Sequence, residues 1–129
     1  MEPITLEDLV LIGELVLGIP AETLLRTMDV GLAESALAAP FATFGGHDFY
    51  DEPAVQAAVL ASRLMRNHPL VDGNKRLALV TMIEFLRRNG CNWPAALDQD
   101  EVAETFEKVA ARETPEQQFA AWVRSKLDT

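Results

Sequence analysis

Between Leu77 and Asn89 the chain is apolar on almost every side of a helix. At helical spacing, Leu77, Leu79, Val80, Met82, Ile83, Phe85 and Leu86 cover most of the circumference. Such a segment belongs at the centre of a bundle, with other helices around it. Asn89-Gly90 supplies its C-terminal stop. Its other end is polar, because His68-Pro69-Leu70-Val71-Asp72-Gly73-Asn74-Lys75-Arg76 runs straight into it. Asp72 and Gly73 read as the helix start, which puts Asn74, Lys75 and Arg76 in the first turn. A helix N-terminus carries partial positive charge and free N–H groups, so two cations there are unfavourable unless an anion binds among them. A local rule broken in this way points to a functional site. The anion expected is the polyphosphate of a nucleotide.

Helix signals dominate the rest of the chain. Thr5 caps a helix whose Leu6, Leu9, Val10, Gly13, Val16 and Leu17 share a face, with Asp8 as an imperfect capping-box partner; Gly18-Ile19-Pro20 ends it. A second short helix covers residues 31–38 and stops at Pro40. Residues 41–51 read as a loop with some extended character, and Gly45-Gly46 as a turn of hairpin type. Pro53 suits the first position of a helix running to about Arg66, with Val55, Ala58, Val59, Ser62 and Met65 at helical spacing. Asp98 with Glu101 starts another helix. Thr114-Pro115-Glu116-Gln117 is a capping signature for a last one, with Phe119, Trp122 and Val123 facing inward. No repeat, low-complexity segment or linker divides the chain. The expectation is one all-α domain over residues 1–129, a small helical bundle around a central buried helix.

Charge narrows the partners. A net charge of −9 argues against general nucleic-acid binding, which needs a basic footprint. Residues 63–88 run against this balance: Arg63, Arg66, Lys75, Arg76, Arg87 and Arg88 face only Asp72 and Glu84, a net of +4. Arg87 and Arg88 lie at a helix C-terminus, where cations suit the dipole; Lys75 and Arg76 have no such excuse. The single Cys91 excludes an internal disulfide and fits a reducing compartment. No Cys/His spacing suggests zinc. His47, Asp48 and Asp51 read as an exposed loop, and the acidic stretch Glu101 to Glu107 as a solvated helix face. Trp93 and Trp122 read as core or half-buried anchors. Without a signal-peptide pattern or an apolar run long enough for a membrane, the chain reads as soluble and cytoplasmic.

The motif offers the parts of a phosphoryl-transfer site. Histidine exchanges its proton near neutral pH, so His68 is a candidate general base, or else a cap on the preceding helix. Asp72 serves as a helix N-cap, as a hard oxygen ligand for Mg²⁺, or as both. Gly73 permits close backbone approach or an ordinary turn. Asn74 donates its amide to a phosphoryl oxygen or caps the helix. Lys75 is a point charge for phosphate, and Arg76 is a planar fork for bidentate contact.

These residues resemble the signature of the Fic/Doc superfamily, H-x-F-x-(D/E)-(G/A)-N-(G/K)-R. Residues 31–38, Phe44-Gly45-Gly46 and Phe85 to Gly90 are similar to segments of its Doc branch ("death on curing"), and the resemblance extends over residues 4 to about 92. It implies a small helical fold. It further implies that His68 deprotonates a target hydroxyl, that Asp72 binds Mg²⁺, and that Gly73, Asn74, Lys75 and Arg76 hold the phosphates of ATP. Phe44, Gly45, Gly46 and His47 resemble the flap that docks a target segment by main-chain pairing. Where AMP-transferring Fic proteins have a second glycine this chain has Lys75, and where they have a second arginine it has Leu79. In the Doc branch that lysine accompanies γ-phosphate transfer, so the resemblance implies a protein kinase acting on a threonine of elongation factor Tu or another protein. AMP transfer and a catalytically silent binding module are the alternatives. Leu70 replaces the family's phenylalanine. No glutamate precedes glycine or asparagine, so the inhibitory motif (S/T)-x-x-x-E-(G/N) of many Fic proteins is missing from the sequence. Restraint is then expected from a separate, Phd-like antitoxin.

Overall fold

The computed structural model describes residues 2–127. Its elements are α1 (Leu6–Leu17), α2 (Ala21–Thr27), α3 (Val30–Ala38), a 3₁₀ turn (Ala39–Phe41), a hairpin of β1 (Thr43–Phe44) and β2 (His47–Asp48), then α4 (Pro53–Asn67), α5 (Asn74–Arg88), α6 (Gln99–Ala110) and α7 (Glu116–Lys126). The fold is all-α apart from this antiparallel hairpin, in which Thr43 pairs with Asp48 and Phe44 with His47.

Most boundaries follow from local chemistry. Thr5 and Asp8 form a complete capping box at the start of α1, and left-handed Gly18 closes its end. Asp98 accepts from the N–H groups of Asp100 and Glu101 at the start of α6. Two features differ from expectation: α2, a helix not anticipated from the sequence, and the start of α7. Helix α2 has no cap of its own, and Glu14 of α1 accepts the Ala21 N–H at 2.8 Å instead. Helix α7 begins after Pro115 with no side-chain cap, so Thr114 does not serve as one. Its carbonyl instead accepts from Arg66 at 2.8 Å, while Glu116 pairs with Arg63 at 3.0 Å.

The bundle closes around a buried helix, and that helix is α4. Ten of its 15 residues are buried, against seven of 15 in α5. Ala57, Ala58 and Ala61 are fully buried, and such small side chains let neighbours approach α4 closely; it packs against α3, α5, α6 and α7. Helix α5 lies beside it. Leu77, Ala78, Met82, Phe85 and Leu86 turn inward, while Leu79, Val80 and Ile83 are only half-buried. The apolar circumference of α5 thus overstates its burial. Phe106, Phe119, Trp122 and Trp93 form an aromatic cluster, with Phe106 and Phe119 edge-to-face at 5.3 Å.

Arg88 fastens the start of α1 to the end of α5. Its guanidinium reaches Glu84 at 2.7 Å, Asp8 at 2.9 Å and the Pro3 carbonyl at 3.2 Å. A dipole argument alone did not foresee this. Arg88 holds the Asp8 carboxyl at about 2, below its ordinary 3.8. Arg87, with Arg88, holds Glu84 at about 2, below its ordinary 4.5. A depressed folded pKa contributes stability above the unfolded value and loses it as pH falls toward the folded one. Each carboxylate is half-buried, so the contribution is on the order of 1 kcal/mol. Urea titrations should show the native protein losing stability between pH 5 and pH 2. Arg88→Ala should be about 1–3 kcal/mol less stable at pH 7, with a shallower acid loss. An unchanged acid profile in the variant would show that the pair contributes nothing.

Candidate nucleotide cleft

The connection between α4 and α5 is six residues long and turns through left-handed backbone at both ends, His68 at φ 56° and Gly73 at φ 87°. The middle of the turn faces inward. Pro69 is buried and its carbonyl accepts from Asp29 N–H at 2.8 Å, while Leu70 is 5% exposed and joins the core. Buried Asn74 pins the loop: its Oδ1 accepts from Leu70 N–H at 2.9 Å and its Nδ2 donates to the Leu70 carbonyl at 3.0 Å. This pairing satisfies two buried main-chain groups that regular structure leaves free. His68, Val71 and Asp72 are left exposed.

One cleft, about 250 Å³ in volume, is lined by His68, Asp72, Gly73, Asn74, Lys75 and Arg76, with Met65 and Ala110 beside them. The structure therefore gathers all six motif residues singled out from sequence. Residues 74–76 form the first turn of α5, so their N–H groups have no intrahelical partner. A second cleft, also about 250 Å³, is mainly apolar, with Leu79, Val102, Ala103 and Phe106; Lys75 and Arg76 line both. Ligand pockets run to roughly 300–1,000 Å³. Neither cleft reaches that alone, and the two share Lys75 and Arg76 as lining residues.

Several motif residues play different parts from those expected. Asp72 is not the N-cap; that position is Gly73, and no side chain caps the helix. Asp72 Oδ1 instead accepts the Gly73 N–H at 2.8 Å. The Asn74 carboxamide spends its Oδ1 and one Nδ2 hydrogen on Leu70, leaving its second Nδ2 hydrogen and its main-chain N–H. Gly73 is required by its dihedral and by α1: a Cβ there would meet Leu17 Cδ2 at 2.7 Å. The fold by itself thus already calls for glycine at this position.

The two cations have protein partners. Lys75 Nζ pairs with Glu107 of α6, and an Arg76 Nη donates to the Val16 carbonyl of α1 at 3.0 Å. Neither partner carried a signal in the sequence, since each lies far along the chain. The remaining cations of residues 63–88 are structural: Arg63 pairs with Glu116, Arg66 donates to the Val109 and Thr114 carbonyls, and Arg87 and Arg88 pair with Glu84.

Phe44, Gly45, Gly46 and His47 do not line the cleft. The hairpin forms as expected, with Gly45 and Gly46 both at positive φ and Phe44 80% exposed. Its base is held by Gln56, whose Nε2 donates to the Tyr50 carbonyl at 3.1 Å. Gln56 lies in the first turn of α4 and His68 just past the last, about 18 Å apart along the axis.

Among the described residues, no cluster of three or more side chains could cage a metal ion. Mg²⁺ asks for less, since it is commonly held by one or two carboxylates together with substrate phosphates and water. Exposed Asp72, with its second oxygen unengaged, fits that donor set.

Comparison with known proteins agrees with this geometry. Residues 3–86 match the Fic/DOC family. Over 97 residues the chain is 40% identical to Toxin Doc of Mycolicibacterium smegmatis, covering 75% of each protein. The chain belongs to the Fic/DOC family.

The Asn74 clamp is testable. Asn74→Ala leaves the Leu70 N–H and carbonyl buried without partners, a loss of roughly 1–3 kcal/mol. Hydrogen exchange at the Leu70 amide should accelerate more than at the core amides of α4. Unchanged exchange at Leu70 would show that the loop holds itself without Asn74.

Proposed function

We propose that this Fic/DOC family member is a Doc-type toxin of a type II toxin–antitoxin pair, a transferase using ATP and Mg²⁺ to phosphorylate a threonine of a translation factor. Elongation factor Tu is the first candidate target. The observation that carries this reading is the gathering of His68, Asp72, Lys75 and Arg76 on one cleft at the N-terminus of α5. Its toxin character is supported by the 40% identity to Toxin Doc. Transferase chemistry is supported by the family.

In this reading the triphosphate lies against the N–H groups of residues 74–76, with Lys75 and Arg76 balancing its charge. The neighbouring apolar cleft receives the base. Asp72 would hold Mg²⁺, which supplies further charge neutralisation for the transferring group. His68 takes the proton of the target hydroxyl as that oxygen bonds to the γ-phosphorus. The bond from γ-phosphorus to the bridging oxygen breaks, and its electron pair leaves with ADP. Such a reaction asks of the protein mainly position and charge.

Kinase rather than AMP-transfer chemistry is supported by two side chains. Lys75 fills the position where AMP-transferring relatives have glycine, and Leu79, half-buried in the apolar cleft, brings no second guanidinium there. The hairpin belongs to this reading as the docking flap, offering exposed Phe44 and free strand edges for main-chain pairing. A Phd-like antitoxin restrains the enzyme, which acts in the cytoplasm. Among the described residues no helix is long and apolar enough to cross a membrane.

Intact-mass spectrometry of purified elongation factor Tu, incubated with this protein, ATP and Mg²⁺, should show a gain of one phosphoryl group. His68→Ala should abolish it. A gain the size of AMP would replace the kinase assignment with AMP transfer. Expressed without an antitoxin, the wild type should arrest growth and His68→Ala should not; equal harmlessness would favour a silent binding module.

A further inference from the structure

Lys75 and Glu107 are each misplaced on their own helix. Lys75 stands in the first turn of α5, where the helix dipole disfavours a cation, and Glu107 stands in the last turn of α6, where it disfavours an anion. Their ion pair removes both penalties at once. The anion that the N-terminus of α5 calls for is thus already present, supplied by the protein itself. It is held loosely: the Lys75 side chain is 47% exposed and that of Glu107 is 62% exposed. Such pairs contribute little in water and break readily. Glu107 also lines the apolar cleft, which His68 and Asp72 do not.

We propose that Glu107 is a built-in competitor for the anion site, a carboxylate that occupies Lys75 until a polyphosphate displaces it. This rests on the nucleotide reading of the cleft. Displacement needs no refolding, because Glu107 has only to swing from Lys75 into solvent. Glu107 therefore lowers the affinity of the cleft for phosphate anions and keeps the lysine compensated while the cleft is empty. The effect is electrostatic, so it weakens with salt. It also acts through Lys75 alone, since Arg76 is held separately by the Val16 carbonyl.

The test is calorimetric titration of sodium tripolyphosphate, without metal, into four proteins: wild type, Glu107→Gln, Lys75→Met and the double variant. Glu107→Gln should bind about two- to fivefold more tightly than wild type at low salt, the range expected for releasing an exposed pair. The gain should shrink near molar salt and vanish in the Lys75→Met background. Equal or weaker binding by Glu107→Gln, with wild type still binding, would overturn the proposal and leave the cleft standing. A gain that persists without Lys75 would also overturn it, since general charge removal would then explain the result. If none of the four binds, the nucleotide reading itself fails and this proposal with it.

Discussion

Two hydrogen bonds between Asn74 and the main chain of Leu70 hold the loop on which the proposed site is built. The six residues between α4 and α5 have no regular structure to satisfy their peptide groups. Asn74 satisfies two of them at buried Leu70. Leu70, 5% exposed, is drawn into the core by the same contact, and the buried side chain with the pinned backbone fixes the loop between its left-handed ends. His68 at one end and Lys75 and Arg76 beyond the other then face one cleft. The neighbours reinforce the arrangement: Asp29 at the start of α3 takes the Pro69 carbonyl, and Leu17 at the end of α1 packs on Gly73. Leucine in place of the family's phenylalanine still supplies the apolar anchor this arrangement needs.

Charge is divided between structure and site with little left over. The chain is strongly acidic, yet residues 63–88 are basic. Arg63, Arg66 and Arg88 tie helices together, and Arg87 pairs with Glu84 within α5. Lys75 and Arg76 alone among these cations line the cleft, each with one hydrogen-bond partner among the described residues. An exposed carboxylate and a single carbonyl are modest partners for an ammonium and a guanidinium. A multivalent anion offers both of them more. The acidic surface elsewhere also disfavours indiscriminate anion binding, which makes a local, geometry-defined anion site the natural use of the two cations.

What could be read in the sequence was local. The Thr5–Asp8 box, Pro53, Asp98 and Asn89-Gly90 act on residues within one turn, and each marks a boundary within a few residues of where it falls. The motif likewise announced a loop leading into a helix. What escaped was supplied from a distance. Helix α2 is capped by Glu14 from the preceding helix, so nothing beside Ala21 marked its start. Asn74 was legible as an amide near phosphate, but its real partner, Leu70, is main chain and leaves no trace in side-chain pattern. Glu107 looked like one acid on a solvated face, because only the packing of α6 against α5 brings it to Lys75. The centre of the bundle was misplaced for a related reason. Periodicity records how apolar a helix is, whereas the small alanines of α4 decide how many neighbours can surround it.

The central claim is that the first turn of α5 and the loop before it form a cradle for triphosphate. Amide chemical shifts of isotopically labelled protein, followed while ATP and Mg²⁺ are added, address it residue by residue. The largest saturable shifts should fall on Gly73, Asn74, Lys75 and Arg76, with a matching change at the His68 ring. Shifts confined to other regions, or none at all while the fold stays intact, would contradict the account.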